Sequence, residues 1–193
     1  DVKCQKINRK FNINLTNKYL NNSFKISFKL IKNKFSNKLI NGPINKKSFL
    51  NKKFLGITEY ISAQFNIKKT GMLIYNPKLS VSPLTTHLPI KLVAKNVSKK
   101  LIEEKIYLIN NFFKKNFRYT PKIGVASLNP HCESILEYNE DDKILNKAIN
   151  NQKKRGINVK GPFPADTIFL KKNREKFNVI LGMYHDQVLT PIK

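Results

Sequence analysis

The chain has 193 residues and 40% hydrophobic content, enough to bury a substantial core and too apolar for a disordered chain. Its 37 Lys and Arg against 12 Asp and Glu give a formal net charge of +25, which invites an anionic partner. The excess is nearly all Lys, scattered in pairs such as Lys52-Lys53, Lys99-Lys100 and Lys171-Lys172, with arginine only at Arg9, Arg118, Arg155 and Arg174. A nucleic-acid-binding module is therefore disfavoured, because it would gather its charge into a stripe and lean on arginine. No apolar run approaches the roughly 18 residues of a membrane helix, and no secretory signal is visible. Cys4 and Cys132 have neither metal-type spacing nor the density of a disulfide framework, so the expected compartment is the cytoplasm.

Residues 1–17 alternate loosely and fit an edge strand. Leu20, Phe24, Phe28, Ile31 and Phe35 recur at helical spacing, which predicts an amphipathic helix over 18–36. A strand is expected over 38–41, closed by Gly42-Pro43, and a helix over 58–69 with Thr58 as N-cap and Glu59 in the first turn. Residues 71–75 and 78–84 read as a strand pair broken at Asn76-Pro77. The clearest helix is 98–116, capped by Ser98 and carrying Ile102, Ile106, Ile109 and Phe113 on one face. Residues 123–128 and 179–183 are short apolar runs that read as buried strands. Between them, 140–155 carries acidic residues in its first turn, basic ones in its last and Gly156 beyond, a complete set of helix signals. The alternation predicts an α/β fold with a mostly parallel sheet and flanking helices. No stretch reads as an interdomain linker, so 1–193 is taken as a single α/β region.

The three histidines, His87, His131 and His185, each follow one of the apolar runs. Side chains just past the carboxyl ends of parallel strands are where open α/β sheets build their sites. Neutral imidazole is the commonest metal ligand, and three of them would leave an open coordination position. On spacing alone, any single one is better explained as a satisfied structural residue. Cys132, next to His131, could reach a bound metal or simply fill space.

Six strings occur in order: Gly42-Pro-Ile-Asn-Lys46, Gly56-Ile-Thr-Glu-Tyr60, Thr85-Thr-His-Leu-Pro-Ile90, Leu128-Asn-Pro-His131, Gly161-Pro-Phe-Pro-Ala-Asp-Thr167 and Met183-Tyr-His-Asp-Gln187. Together they resemble the 4-hydroxythreonine-4-phosphate dehydrogenase family of pyridoxal phosphate biosynthesis. The resemblance implies a two-lobed fold similar to isocitrate and isopropylmalate dehydrogenases. It implies oxidation of the secondary hydroxyl of 4-phosphohydroxy-L-threonine by NAD or NADP, then loss of CO2 to give 3-amino-2-oxopropyl phosphate. It places the metal ligands (zinc, magnesium or cobalt) on His87, His131 and His185. Substrate contacts fall on Thr58 and Lys193. The site is expected at a homodimer interface, with the metal shared between subunits. Asp186 and Asp166 are candidates for orienting a ligand or moving a proton, and each is equally well read as a helix cap or loop residue.

Three departures from the family pattern matter. The motif GHTE reads Gly56-Ile57-Thr58-Glu59, so one side-chain donor to phosphate is lost. Another phosphorylated hydroxy acid, or a diol, is the rival substrate that this change keeps in play. After LNPH the family continues Ala-Gly-Glu, whereas this chain has Cys132-Glu133-Ser134-Ile135. The family's sections before and after this span are absent, so the segment is expected to be poorly active alone.

Overall fold

The computed structural model describes residues 12–51, 53–132 and 138–193. The chain divides into two compact units, Asp1–Lys68 and Lys69–Lys193.

The first unit is helical in its described residues. Asn12 caps helix α1 (Ile13–Lys32), its side chain accepting from the amides of Asn14 and Leu15. The helix expected over 18–36 thus starts earlier and stops earlier. Lys34 adopts a left-handed φ of 62°, and Phe35 beyond it is exposed. Part of the edge strand expected over 1–17 lies outside the described residues; from Ile13 onward that segment is helical. Residues 38–41 form no strand; the chain continues without regular secondary structure into the short helix α2 (Lys46–Phe49). Helix α3 (Ile57–Gln64) follows, with Gly56 at its N-cap position; Thr58 is its second residue, not its cap. Phe24 and Phe28 are the buried residues of α1. Phe24 packs on Phe49 and Tyr60, and Phe28 on Tyr60 and Phe65, at centroid distances of 5.3–5.9 Å.

The second unit is built on a four-stranded sheet. Its strands are β1 (Ser80–Thr85), β2 (Ile123–Ala126), β3 (Val159–Phe163) and β4 (Val179–Tyr184). The spatial order is β1-β4-β2-β3 and every pairing is parallel, as the sequence predicts. Residues 71–75 contribute one antiparallel bridge, Ile74 to Val81, not a full strand. Helix α4 (Ile90–Asn96) precedes α5 (Lys99–Phe117), whose cap is Ser98, its hydroxyl accepting from the Leu101 amide. The helix expected over 140–155 begins as a π-helical turn, Asp141–Leu145, and continues as α6 (Asn146–Lys154). Gly156, at φ 76°, ends it where a left-handed residue is needed. Short helices α7 (Ala165–Ile168), α8 (Lys171–Arg174) and α9 (His185–Leu189) complete the unit.

The sheet is covered on both faces, which is why its strands read as continuous apolar runs. Val179, Leu181 and Met183 of β4 join Ile102, Ile106, Ile109 and Phe113 of α5 and Ala148 and Ile149 of α6 in one cluster. Ile180 of β4, Val81, Ala126, Ile168, Phe177 and Val188 form the other. Each buried large side chain contributes about 1.5–3 kcal/mol, so the four apolar residues of α5 contribute on the order of 10 kcal/mol against the entropy of ordering the helix. Among the described residues, no helix is long and apolar enough to cross a membrane.

Candidate active site

Parallel pairing brings Thr85 of β1 beside Tyr184 of β4. Two residues past Thr85 comes His87; directly after Tyr184 comes His185, the first residue of α9. The two imidazoles face each other with ring centroids 6.0 Å apart. Two imidazoles on one tetrahedral metal, at about 2.0–2.1 Å from each nitrogen, have centroids roughly 5 Å apart. The observed 6.0 Å is within about 1 Å of that separation. His87 is exposed and His185 is about one-third exposed, as ligands with an open coordination position require.

His185 Nδ1 lies 2.7 Å from Asp186 Oδ1. An ionised carboxylate only accepts, so the contact calls for a hydrogen on Nδ1; in the neutral imidazole that tautomer leaves the Nε2 lone pair for a ligand role. This carboxylate–imidazole pairing is how metal-binding histidines are commonly oriented.

His131 lies in a short 3-10 turn after β2, and it is exposed. Among the described residues, no group of three His, Cys, Asp or Glu side chains is arranged to hold a metal ion. The chain thus brings His87 and His185 together and leaves His131 outside a common cluster. Three residues here depart from ordinary backbone geometry: His87, His131 and Cys132 have φ of 54°, 58° and 63°. Non-glycine residues held left-handed cost on the order of 1–3 kcal/mol each and concentrate at functional sites.

The turn at His131 is held by Asp141, which the sequence marked only as an acidic helix start. Its fully buried carboxylate accepts from the amides of Leu128 at 2.8 Å and Asn129 at 2.9 Å, and from Asn129 Nδ2 at 3.1 Å. Asn129 Nδ2 also donates to Glu140 at 2.9 Å, and Asn139 Nδ2 to the Cys132 carbonyl at 3.3 Å. The amide partners of Asp141 lie 12 and 13 positions away, and acidic residues at a helix start also serve the helix dipole, so the sequence pattern did not single it out.

Thr58 and Glu59 occupy the first turn of α3, where the leading amides have no side-chain cap. Thr58 is exposed, and Glu59 Oε2 is enclosed without a hydrogen-bond partner among the described residues. Asp166 is exposed in the first turn of α7, which starts at Ala165, so it does not cap a helix beginning at Thr167. Lys193 is exposed after the 3-10 turn Thr190–Ile192. A separate cavity of about 580 Å³ runs along β3, lined by Phe163, Ile168, Phe177 and several lysines; it includes none of the histidines.

Residues 11–193 match the family described as pyridoxal phosphate biosynthetic protein PdxA. A 4-hydroxythreonine-4-phosphate dehydrogenase from Shewanella denitrificans is 36% identical over 160 residues, covering 80% of this chain and 48% of the relative. A protein from Oceanobacillus iheyensis, provisionally named D-threonate 4-phosphate dehydrogenase, is 32% identical over 155 residues, covering 78% of this chain and 47% of the relative. Among solved structures, a 4-hydroxythreonine-4-phosphate dehydrogenase from Burkholderia phymatum superposes with a TM-score of 0.73 at 27% identity, covering 93% of this chain and 55% of that one. This chain spans about half the length of the curated relatives it matches. With its ordered motifs, its all-parallel sheet and a match that runs through the second unit from end to end, the chain belongs to the PdxA family of pyridoxal phosphate biosynthetic proteins.

Proposed function

We propose that the protein containing this chain is a divalent-metal-dependent, NAD(P)-linked dehydrogenase. It oxidises and decarboxylates 4-phosphohydroxy-L-threonine to 3-amino-2-oxopropyl phosphate in pyridoxal phosphate biosynthesis. The observation that carries this reading is the His87–His185 pair, 6.0 Å between centroids, with Asp186 on Nδ1 of His185, at the carboxyl ends of adjacent parallel strands. When bound, the cation supplies positive charge at the substrate hydroxyl, and the nicotinamide accepts the hydride.

The chain's own residues then have separable tasks. His87 and His185 hold the cation, and Asp186 fixes the tautomer of His185. His131 is assigned as the remaining ligand by the family motif, in a homodimer whose interface completes the site. Thr58 is assigned to the substrate phosphate by the family motif. Lys193 adds a positive charge for the anionic substrate, and Asp166 is assigned proton exchange with the substrate. A cytoplasmic enzyme of this kind needs no membrane contact and no nucleic acid.

The test is NAD(P)H production by the whole protein from 4-phosphohydroxy-L-threonine. Turnover abolished by a chelator and restored by zinc, cobalt or magnesium supports the reading. No turnover by folded protein that binds metal would sink the choice of substrate.

Ile57 favours a second reading, in which the same site acts on another phosphorylated hydroxy acid. Its side chain offers no donor, so phosphate must rely on backbone amides and Thr58. Comparing turnover on D-threonate 4-phosphate with turnover on 4-phosphohydroxy-L-threonine separates the two.

A further inference from the structure

Strands β2 and β4 pair only through Ile123–Val179, Gly124–Ile180 and Val125–Leu181. Beyond that register the backbones part, and the buried side chain of Gln187 fills the gap. Its Oε1 accepts from the Met183 amide at 2.7 Å, and its Nε2 donates to the Ser127 carbonyl at 2.7 Å. A primary amide offers the same donor and acceptor as a peptide group. Gln187 therefore supplies one more rung where the ladder can no longer close, and satisfies two backbone groups that would otherwise be buried without partners. Gly182 makes this possible, because a Cβ there would stand 2.8 Å from Gln187 Oε1.

What this rung joins gives it a role. Ser127 opens the turn that carries His131, and its hydroxyl donates to the Asn129 carbonyl at 2.8 Å. Met183 is two residues before His185, and its carbonyl accepts from Thr85 Oγ1 at 2.8 Å, two residues before His87. One side chain thus sets the spacing between the His131 turn on one side and the His185 and His87 turns on the other.

We propose that Gln187 is a positioning residue, an amide strut across the mouth of the sheet that fixes the His131 turn relative to His185. Only the metal-binding part of its test rests on the function proposed above. Gln187→Met keeps length and removes both hydrogen bonds. Gln187→Glu keeps an acceptor for Met183 but sets a carboxylate oxygen against the Ser127 carbonyl, so it breaks the strut on one side.

The experiment is NMR of the whole protein with labelled histidine, glutamine and methionine. In the wild type, the Gln187 side-chain amide protons should exchange far more slowly than solvent-exposed ones; exchange at the solvent rate would overturn the strut without recourse to any variant. Q187M should displace the imidazole signals of both His131 and His185, and speed Met183 amide exchange at least tenfold. Q187E should displace His131 more than His185. A folded Q187M or Q187E with both imidazole signals at wild-type positions refutes the proposal. Cobalt(II) titration adds the functional readout: binding at least tenfold weaker in Q187M supports positioning, and equal affinity with an unchanged visible spectrum refutes it. A wild type that binds no cobalt counts against the metal reading, while the imidazole signals still decide the strut.

Discussion

Replacing Asp141 by asparagine tests how the His131 turn is held. The Asp141 carboxylate is fully buried and accepts three hydrogen bonds, two from consecutive backbone amides at 2.8 and 2.9 Å. Each oxygen takes one of those amides. An asparagine keeps one acceptor and turns an NH2 group toward the other amide, so one charge-assisted bond is lost and two donors are left facing each other. A hydrogen bond to a charged group contributes about 1.5–3 kcal/mol, and an unsatisfied buried donor costs about 1–3 kcal/mol. Removing a buried charge returns part of its desolvation cost, so the net loss for Asp141→Asn is expected near 3 kcal/mol. That corresponds to a fall in Tm of roughly 6–12 °C. The assay is denaturant unfolding together with hydrogen exchange at the Leu128 and Asn129 amides, which should lose protection before the amides of β4. A variant within about 0.5 kcal/mol of wild type, with both amides still protected, would refute the view that Asp141 braces this turn against the strain at His131 and Cys132.

Asp186→Asn should weaken cobalt(II) binding to the whole protein about tenfold, the low end for an outer-shell carboxylate, because Asp186 is largely exposed; unchanged affinity would remove its orienting role. Gly182→Ala should cost about 1–3 kcal/mol in denaturant unfolding, because the added methyl meets Gln187 Oε1 and the Val188 side chain; a neutral result would mean that α9 moves freely over β4. Lys105 is buried, with Nζ donating to the Thr70 carbonyl at 2.8 Å. Burial lowers its pKa below the usual lysine range, with nearby Glu104 acting in the opposite direction. Between that lowered pKa and the ordinary value of about 10.4, the unfolded chain binds more protons than the folded one, so this group makes stability rise with pH. Lys105→Met should remove that increment from stability curves measured across the alkaline range; identical slopes in wild type and variant would refute it.

Much of the second unit was legible in the sequence because pattern and punctuation agreed. Ser98, the isoleucines of α5 and the acidic-to-basic run before Gly156 each state one structure at several levels. The 179–183 run and its neighbours located the carboxyl strand ends, and with them two of the three histidines that meet there. Strand β3 escaped because Lys160, Gly161 and Pro162 interrupt any apolar pattern, which an edge strand tolerates and a central one does not. Residues 38–41 read as a strand, but without a partner they form no sheet. Phe35 extended a helical pattern past the turn at Lys34 that ends the helix. The supports of the site were hidden for a different reason. Asp141 acts on amides 12 and 13 positions away, and Gln187 ties Met183 to a residue 60 positions from itself; a side chain that substitutes for a peptide group leaves no periodic trace.

The strand order has a consequence for how this protein is made. Strand β4 lies between β1 and β2, which precede it in the chain. During synthesis β1 has no partner among these four strands, and β2 has only β3, until residues 179–184 emerge from the ribosome. Until then the nascent sheet exposes apolar edges, which are the surfaces that recruit chaperones and seed aggregation. The same insertion joins β1 to a strand about a hundred residues later, so the four-stranded sheet is completed, and the His87–His185 pair formed, only once β4 is in place. A ribosome-bound intermediate can therefore carry helices α1 to α6 and still have no competence to bind a cation at this pair.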